Sequence, residues 1–208
     1  MISMLMAVWL AASAPAAVPS IAGQWESAVR NKGGIGNILE FSPDGKVTQI
    51  SAMMSDATWS LQGEWLRTTY TNEETGKLQE SAVRIEYQGP DRFVEKDEND
   101  AEQGFSERVG ARPPGDSPLV GKWCSLFLET LTTYRQFTPD GQLFVRLPVT
   151  VLRGTYAVAG DTLEVNIAGQ PPGRYPFRLD EQGRLVIKNR EGAERVYKRT
   201  PSTLLKGY

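Results

Sequence analysis

The 208-residue chain contains no histidine and one cysteine, Cys124. Without histidine there is no Ser-His-Asp or Cys-His nucleophile pair, no His-bearing zinc site and no His-ligated haem. One thiol closes no internal disulfide and builds no thiolate zinc site. Cys124 reads as a small strand residue, with a covalent dimer as the sharper alternative. Carboxylate or Ser-Lys chemistry is what remains, and no spacing singles out a pair of acids. The expectation is therefore a non-enzymatic protein with no cofactor and no metal.

Two further scarcities narrow the class. No cluster of Lys and Arg with interleaved aromatics occurs, and the net charge is −2, so nucleic acid is not an expected partner. Long apolar runs are also missing. The longest, Met4 to Ala12, is followed by Ala14-Pro15-Ala16, the small-residue pattern of a cleavage site. Residues 1–17 thus read as a signal peptide, although no Lys or Arg precedes the apolar stretch. That stretch is too short to cross a bilayer, and no other approaches the ~20 residues required. The mature chain is expected to be exported, to a bacterial periplasm or the medium, with no transmembrane segment.

What the chain does have is a repeat. "FSPDGK" at 41–46 returns as "FTPDGQ" at 137–142. Pro presets the first corner of a tight turn, Asp tolerates the next, and Gly supplies positive φ. Upstream, "IAGQWES" (21–27) matches "LVGKWCS" (119–125); downstream, "TWSLQGEWL" (58–66) matches "TYAVAGDTL" (155–163). Landmarks in one order, at so long a period, indicate two duplicated domains. Their expected bounds are 20–109 and 119–200, with "GARPPGDSP" (110–118) as a Pro/Gly linker and 201–208 as a C-terminal tail.

Helical periodicity is scarce and alternation is common. In "DTLEVNI" (161–167), Leu163, Val165 and Ile167 share one face. Period two with one polar face means antiparallel, half-exposed sheet. Eight short strands are expected in each copy: near 23–29, 35–41, 46–52, 57–61, 64–71, 77–87, 91–97 and 103–109, then near 121–128, 131–137, 142–148, 151–158, 161–167, 173–180, 183–188 and 193–199. Short links place sequence neighbours side by side, and closure removes raw edges. The predicted fold is all-β: two tandem up-and-down β-barrels.

"LVGKW", "FTPDG", "GTY", "GDTLEV" and the closing "VYKR" resemble bacterial lipocalin-like domains of the calycin type. The second copy matches over its length; the first keeps "IAGQW", "FSPDG" and "ATW". The resemblance implies a Trp on the first strand packed beneath a basic residue of the last. Carried over copy by copy, it pairs Trp25 with Arg108 and Trp123 with Arg199. It sets no function, because that shape serves carriers, inhibitors and others.

The candidate sites are few. Trp59, Trp65, Phe144, Tyr134 and Tyr156 either fill a barrel or line a ligand cavity. The acid-rich "DENDAEQG" (97–104) lacks the Gly of a calcium loop and reads as a solvated hairpin tip. Arg174 and Arg178 lie on one polar strand face, an exposed wall or a dock for an anionic partner. Residues 21–109 hold 9 basic and 16 acidic side chains and residues 110–208 hold 14 and 9, net −7 and +5. Opposite charges on tethered barrels predict a polar, salt-sensitive contact between them. The functional expectation is an exported binding protein for a small apolar or amphipathic ligand; the alternative is a secreted or periplasmic interaction or inhibitor module acting through its outer surface.

Overall fold

The computed structural model describes residues 20–72, 74–113, 117–127, 131–201 and 203–205. Residues 1–17, expected to be a signal peptide, lie outside them. No helix occurs among the described residues. The strands are β1 (Gly23–Ser27), β2 (Ile35–Phe41), β3 (Lys46–Gln62), β4 (Trp65–Thr71), β5 (Leu78–Tyr87), β6 (Arg92–Lys96) and β7 (Glu102–Val109). The second copy supplies β8 (Gly121–Phe127), β9 (Leu131–Phe137), β10 (Gln142–Ala159), β11 (Thr162–Ile167), β12 (Gly173–Leu179), β13 (Leu185–Lys188) and β14 (Glu194–Arg199).

All pairings are antiparallel, and they close one ring in which β1 meets β14. Two barrels in tandem are therefore not what forms. The ring is instead pinched where β3 pairs with β10, in a ladder from Gln142↔Thr58 to Thr155↔Lys46. The pinch makes two circuits of eight strands. One, the Trp25 lobe, runs through β1, β2, the first half of β3, the second half of β10, and β11 to β14. The other, the Trp123 lobe, runs through the second half of β3, β4 to β9, and the first half of β10. Each lobe thus takes three strand segments from one copy and five from the other.

The reason lies in two expected tips that hold no glycine. The described hairpin tips carry a residue at positive φ, such as Gly45 (82°) and Gly141 (78°) in the repeated hexapeptide. The expected tips between 46–52 and 57–61, and between 142–148 and 151–158, hold Met53-Met54-Ser55-Asp56 and Val149-Thr150. No residue of either is at positive φ. The chain runs straight through, and the two would-be hairpins open into the long strands β3 and β10. Pro148 opposes Ala52, Thr150 opposes Ser51, and the extra Val149 is taken up as a bulge.

Contacts across the duplication hold this arrangement. Tyr156 N–H donates to Gly45 O (2.8 Å) and its hydroxyl to Ser42 O (2.9 Å). Symmetrically, Trp59 N–H donates to Gly141 O (2.8 Å) and its indole to Thr138 O (3.2 Å). Each repeated turn is clasped by the aromatic of the other copy. Between the lobes, Ile50, Ala52, Met54, Phe144, Leu204 and Leu205 form a buried apolar cluster. Leu204 and Leu205 lie against the body in residues 203–205 of the expected tail, where Lys122 Nζ donates to Thr203 O at 3.0 Å. Fully buried Arg146 donates to Glu26 (3.0 Å) and Asp56 (2.8 Å), and Arg30 reaches the same Asp56 at 2.6 Å. A ladder, an apolar seam and a desolvated ion cluster thus replace the predicted polar, salt-sensitive contact between separate barrels. The 110–118 segment likewise joins two neighbours, since β7 pairs with β8 (Arg108↔Trp123).

Candidate functional site

Each lobe is floored by a Trp on its entering strand. Trp25 donates its indole N–H to Ile21 O (2.8 Å), and Trp123 to Leu119 O (2.7 Å). Both indoles are buried, and each lies under a guanidinium: Arg199 4.0 Å from the Trp25 ring and Arg108 4.1 Å from the Trp123 ring. The four residues named from sequence meet, but with partners exchanged relative to Trp25–Arg108 and Trp123–Arg199. The exchange follows from the pinch, which puts β14 beside β1 and β7 beside β8. The Gly of each Gly-x-Trp is required: a Cβ on Gly23 would strike Arg199 Nη1, and one on Gly121 would sit 2.7 Å from Arg108 Nη1. Arg108 also donates to Pro118 O (2.7 Å), Val120 O (3.0 Å) and Asp91 (3.0 Å).

Above the floors the lobes open into two cavities. The Trp25 lobe encloses about 490 Å³. Its lower wall is apolar, with Leu39, Phe41, Val47, Leu163 and Ile187, and Tyr175 and Tyr197 contribute rings. Its rim is polar, with Asn37, Gln49, Asn189, Arg190, Glu191 and Arg195. Arg190 is held in place by donating to Pro171 O (3.1 Å) and Pro172 O (3.0 Å). Burial pushes the Tyr197 phenol up, with Arg195 opposing, so the ring stays neutral.

The Trp123 lobe encloses about 420 Å³. Here hydroxyls reach the wall (Thr68, Ser81, Ser125, Thr133), and an ion pair, Arg135–Glu95, stands among them. Arg135 also donates to Ser106 Oγ at 2.6 Å. The register shows that the two lobes are built alike. Leu39 faces Trp25 on the neighbouring strand as Arg135 faces Trp123. Tyr197 faces Leu185 as Ser106 faces Phe93, and Ile187 and Glu95 each follow two residues later. One layer of three positions is thus Leu, Ile, Tyr in one lobe and Arg, Glu, Ser in the other.

The aromatic set expected to line a cavity is dispersed. Trp59 and Tyr156 pack in the two lobe cores, edge-on to Phe137 (5.4 Å) and Phe41 (4.9 Å). Phe144 and Tyr134 join the seam between lobes, and Trp65 is 38% exposed. The actual lining mixes aliphatic, hydroxylic and charged side chains with other rings, Phe41, Tyr175 and Tyr197 in one cavity and Tyr70 in the other, and its sequence signal was the inward phase of each strand. Arg174 and Arg178 are exposed and pair with Glu164 and Glu194. Asp97 folds the β6–β7 tip by accepting the N–H groups of Asn99 (2.9 Å) and Ala101 (3.0 Å). Cys124 is half-buried; burial, with Glu107 next, raises its thiol above the ordinary range and makes it a poorer nucleophile. No known protein family, no curated protein and no solved structure matches this chain.

Proposed function

We propose that the chain is a non-enzymatic binding protein that holds one small amphipathic ligand in the Trp25 lobe. The observation that carries this reading is the gradient in that cavity: an apolar lower wall of Leu39, Phe41 and Leu163 under a polar rim on which two cations, Arg190 and Arg195, outnumber one acid, Glu191. A ligand with an alkyl or aryl body and an acidic or strongly polar head fits that gradient. Its body gains from burial, about 25 cal/mol per Å² of apolar surface removed from water, while its head stays near the wet mouth. The volume lies within the range of small-molecule sites. Likeness to lipocalin-like carriers, on the Gly-x-Trp and last-strand Arg motifs, belongs to the same proposal, as does export on the segment 1–17.

The test is displacement of a fluorescent apolar anion, anilinonaphthalene sulfonate, by decanoate and by decanol. Binding of one probe per chain, displaced more strongly by decanoate and abolished by Val165→Trp, is expected. Probe binding unaffected by Val165→Trp would overturn the assignment to this lobe.

A further inference from the structure

We infer that the Trp123 lobe holds a second binding site, built for a small polyhydroxylated ligand of monosaccharide size rather than for an apolar one. The inference starts from the layer that differs between lobes. Leu39, Ile187 and Tyr197 close the Trp25 lobe at positions where the Trp123 lobe has Arg135, Glu95 and Ser106. The barrel frame therefore does not need charge at this level. Desolvating an Arg–Glu pair is costly, and well-packed apolar residues in its place are often neutral or stabilising. An ion pair retained where the same frame accepts Leu and Ile calls for a reason outside folding.

The wall around the pair supplies that reason. Glu95 accepts, Arg135 donates, and the hydroxyls of Thr68, Ser81 and Thr133 do both. Thr133 Oγ1 and Arg135 Nε are buried with no hydrogen-bond partner, a state that normally calls for a ligand or water. Tyr70 brings aromatic surface to the same cavity. Donors and acceptors beside an aromatic face match a ring that presents hydroxyls at its edge and C–H groups on its faces. A simple anion is disfavoured because Glu95 already neutralises Arg135. An alkyl chain is disfavoured because it would leave the hydroxyls without partners. This site stands apart from the amphipathic site of the other lobe and does not depend on it.

Isothermal titration of the full chain with glucose, galactose and myo-inositol tests it. At least one should bind at one per chain, with affinity unchanged by Val165→Trp and lowered at least tenfold by Glu95→Gln. Glu95→Gln keeps shape and volume, and its melting temperature reports whether the fold persists. In a second arm, Glu95→Ile with Arg135→Leu recreates the Trp25-lobe residues at two positions and should raise anilinonaphthalene sulfonate binding from one to two per chain. No heat with any of the three at millimolar concentration, or binding that survives Glu95→Gln, would overturn the proposal.

Discussion

The Trp25 and Trp123 lobes share a floor and part company one layer above it. At the floor both bury an indole under a guanidinium with nearly the same spacing, 4.0 and 4.1 Å. One step up, Leu39, Ile187 and Tyr197 face Arg135, Glu95 and Ser106 across the pseudo-symmetry. The floor is where the entering strand, the last strand and the turn before β1 or β8 must interlock, so its chemistry is fixed by packing. The layer above also reaches the cavity, through Leu39, Ile187 and Tyr197 in one lobe and Arg135 and Glu95 in the other, so its residues can follow what the cavity holds. In a duplicated chain the matching layers point to the fold and the mismatched layer points to function.

That comparison can be broken most forcefully at the seam. Arg146 is 0% exposed and so is its partner Glu26. Arg146→Met leaves buried Glu26 with Lys198, at 3.6 Å, as its one cation and removes one of the two at Asp56, so a loss of about 3 kcal/mol is expected. Calorimetry should still show a single transition, because both lobes share β3 and β10; two resolved transitions would mean the lobes are independent units. Next come the floors. Arg199→Ala should expose Trp25 to acrylamide and leave Trp123 shielded, while Arg108→Ala should do the reverse. Each should cost on the order of 1–2 kcal/mol, Arg108 the more because four acceptors lose their donor against one for Arg199. Quenching of Trp123 in Arg199→Ala would refute the exchanged pairing.

A smaller effect sharpens the difference between layers. Glu95→Ile alone leaves Arg135 half-buried and unpaired and should destabilise, whereas Glu95→Ile with Arg135→Leu should return stability to within about 1 kcal/mol of the parent or above it. Chemical denaturation of both variants measures the coupling. The smallest effect is one of acidity. Burial would raise Asp56, but Arg146 and Arg30 outweigh it and hold the carboxyl below its ordinary 3.8. A folded value below the unfolded one contributes stability that is full above pH 3.8 and fades as pH falls through the folded value. Asp56→Asn should therefore flatten the stability profile below that pH; an unchanged acid limb would count against the pairing.

Much of this was readable in the residues. Alternation such as Leu163, Val165, Ile167 places every strand within a few positions, because the inward phase is a local property. Gly-x-Trp and a last-strand Arg are equally visible. Which Arg covers which Trp was not, because alternation reports a face and never a partner. The deciding signal was negative: Met53-Met54-Ser55-Asp56 and Val149-Thr150 offer no glycine where two hairpin tips were expected, and β3 and β10 each run on for a second strand length. The cavity linings escaped for a different reason. Large aromatics draw the eye, yet Trp59 and Tyr156 are engaged by the turns, and the side chains facing the cavities are the inward-phase residues of each strand, core positions such as Leu39 and Leu163 together with their neighbours two residues on.

The crossing of β3 over β10 also sets an order of assembly. Every strand segment of the Trp123 lobe lies between Ser55 and Leu147, one unbroken stretch, while the Trp25 lobe is assembled from the chain on either side of it. A chain emerging from its N-terminus releases all of the inner circuit before most of the outer one exists. β1, β2 and the start of β3 must wait, with the row of β3 peptide groups unpaired, until β10 arrives to complete it. Slow pairing of distant segments is the step most exposed to mispairing between molecules. The stretch from Lys46 to Ala52 is therefore where two nascent copies would join, each lending the other the strand it lacks.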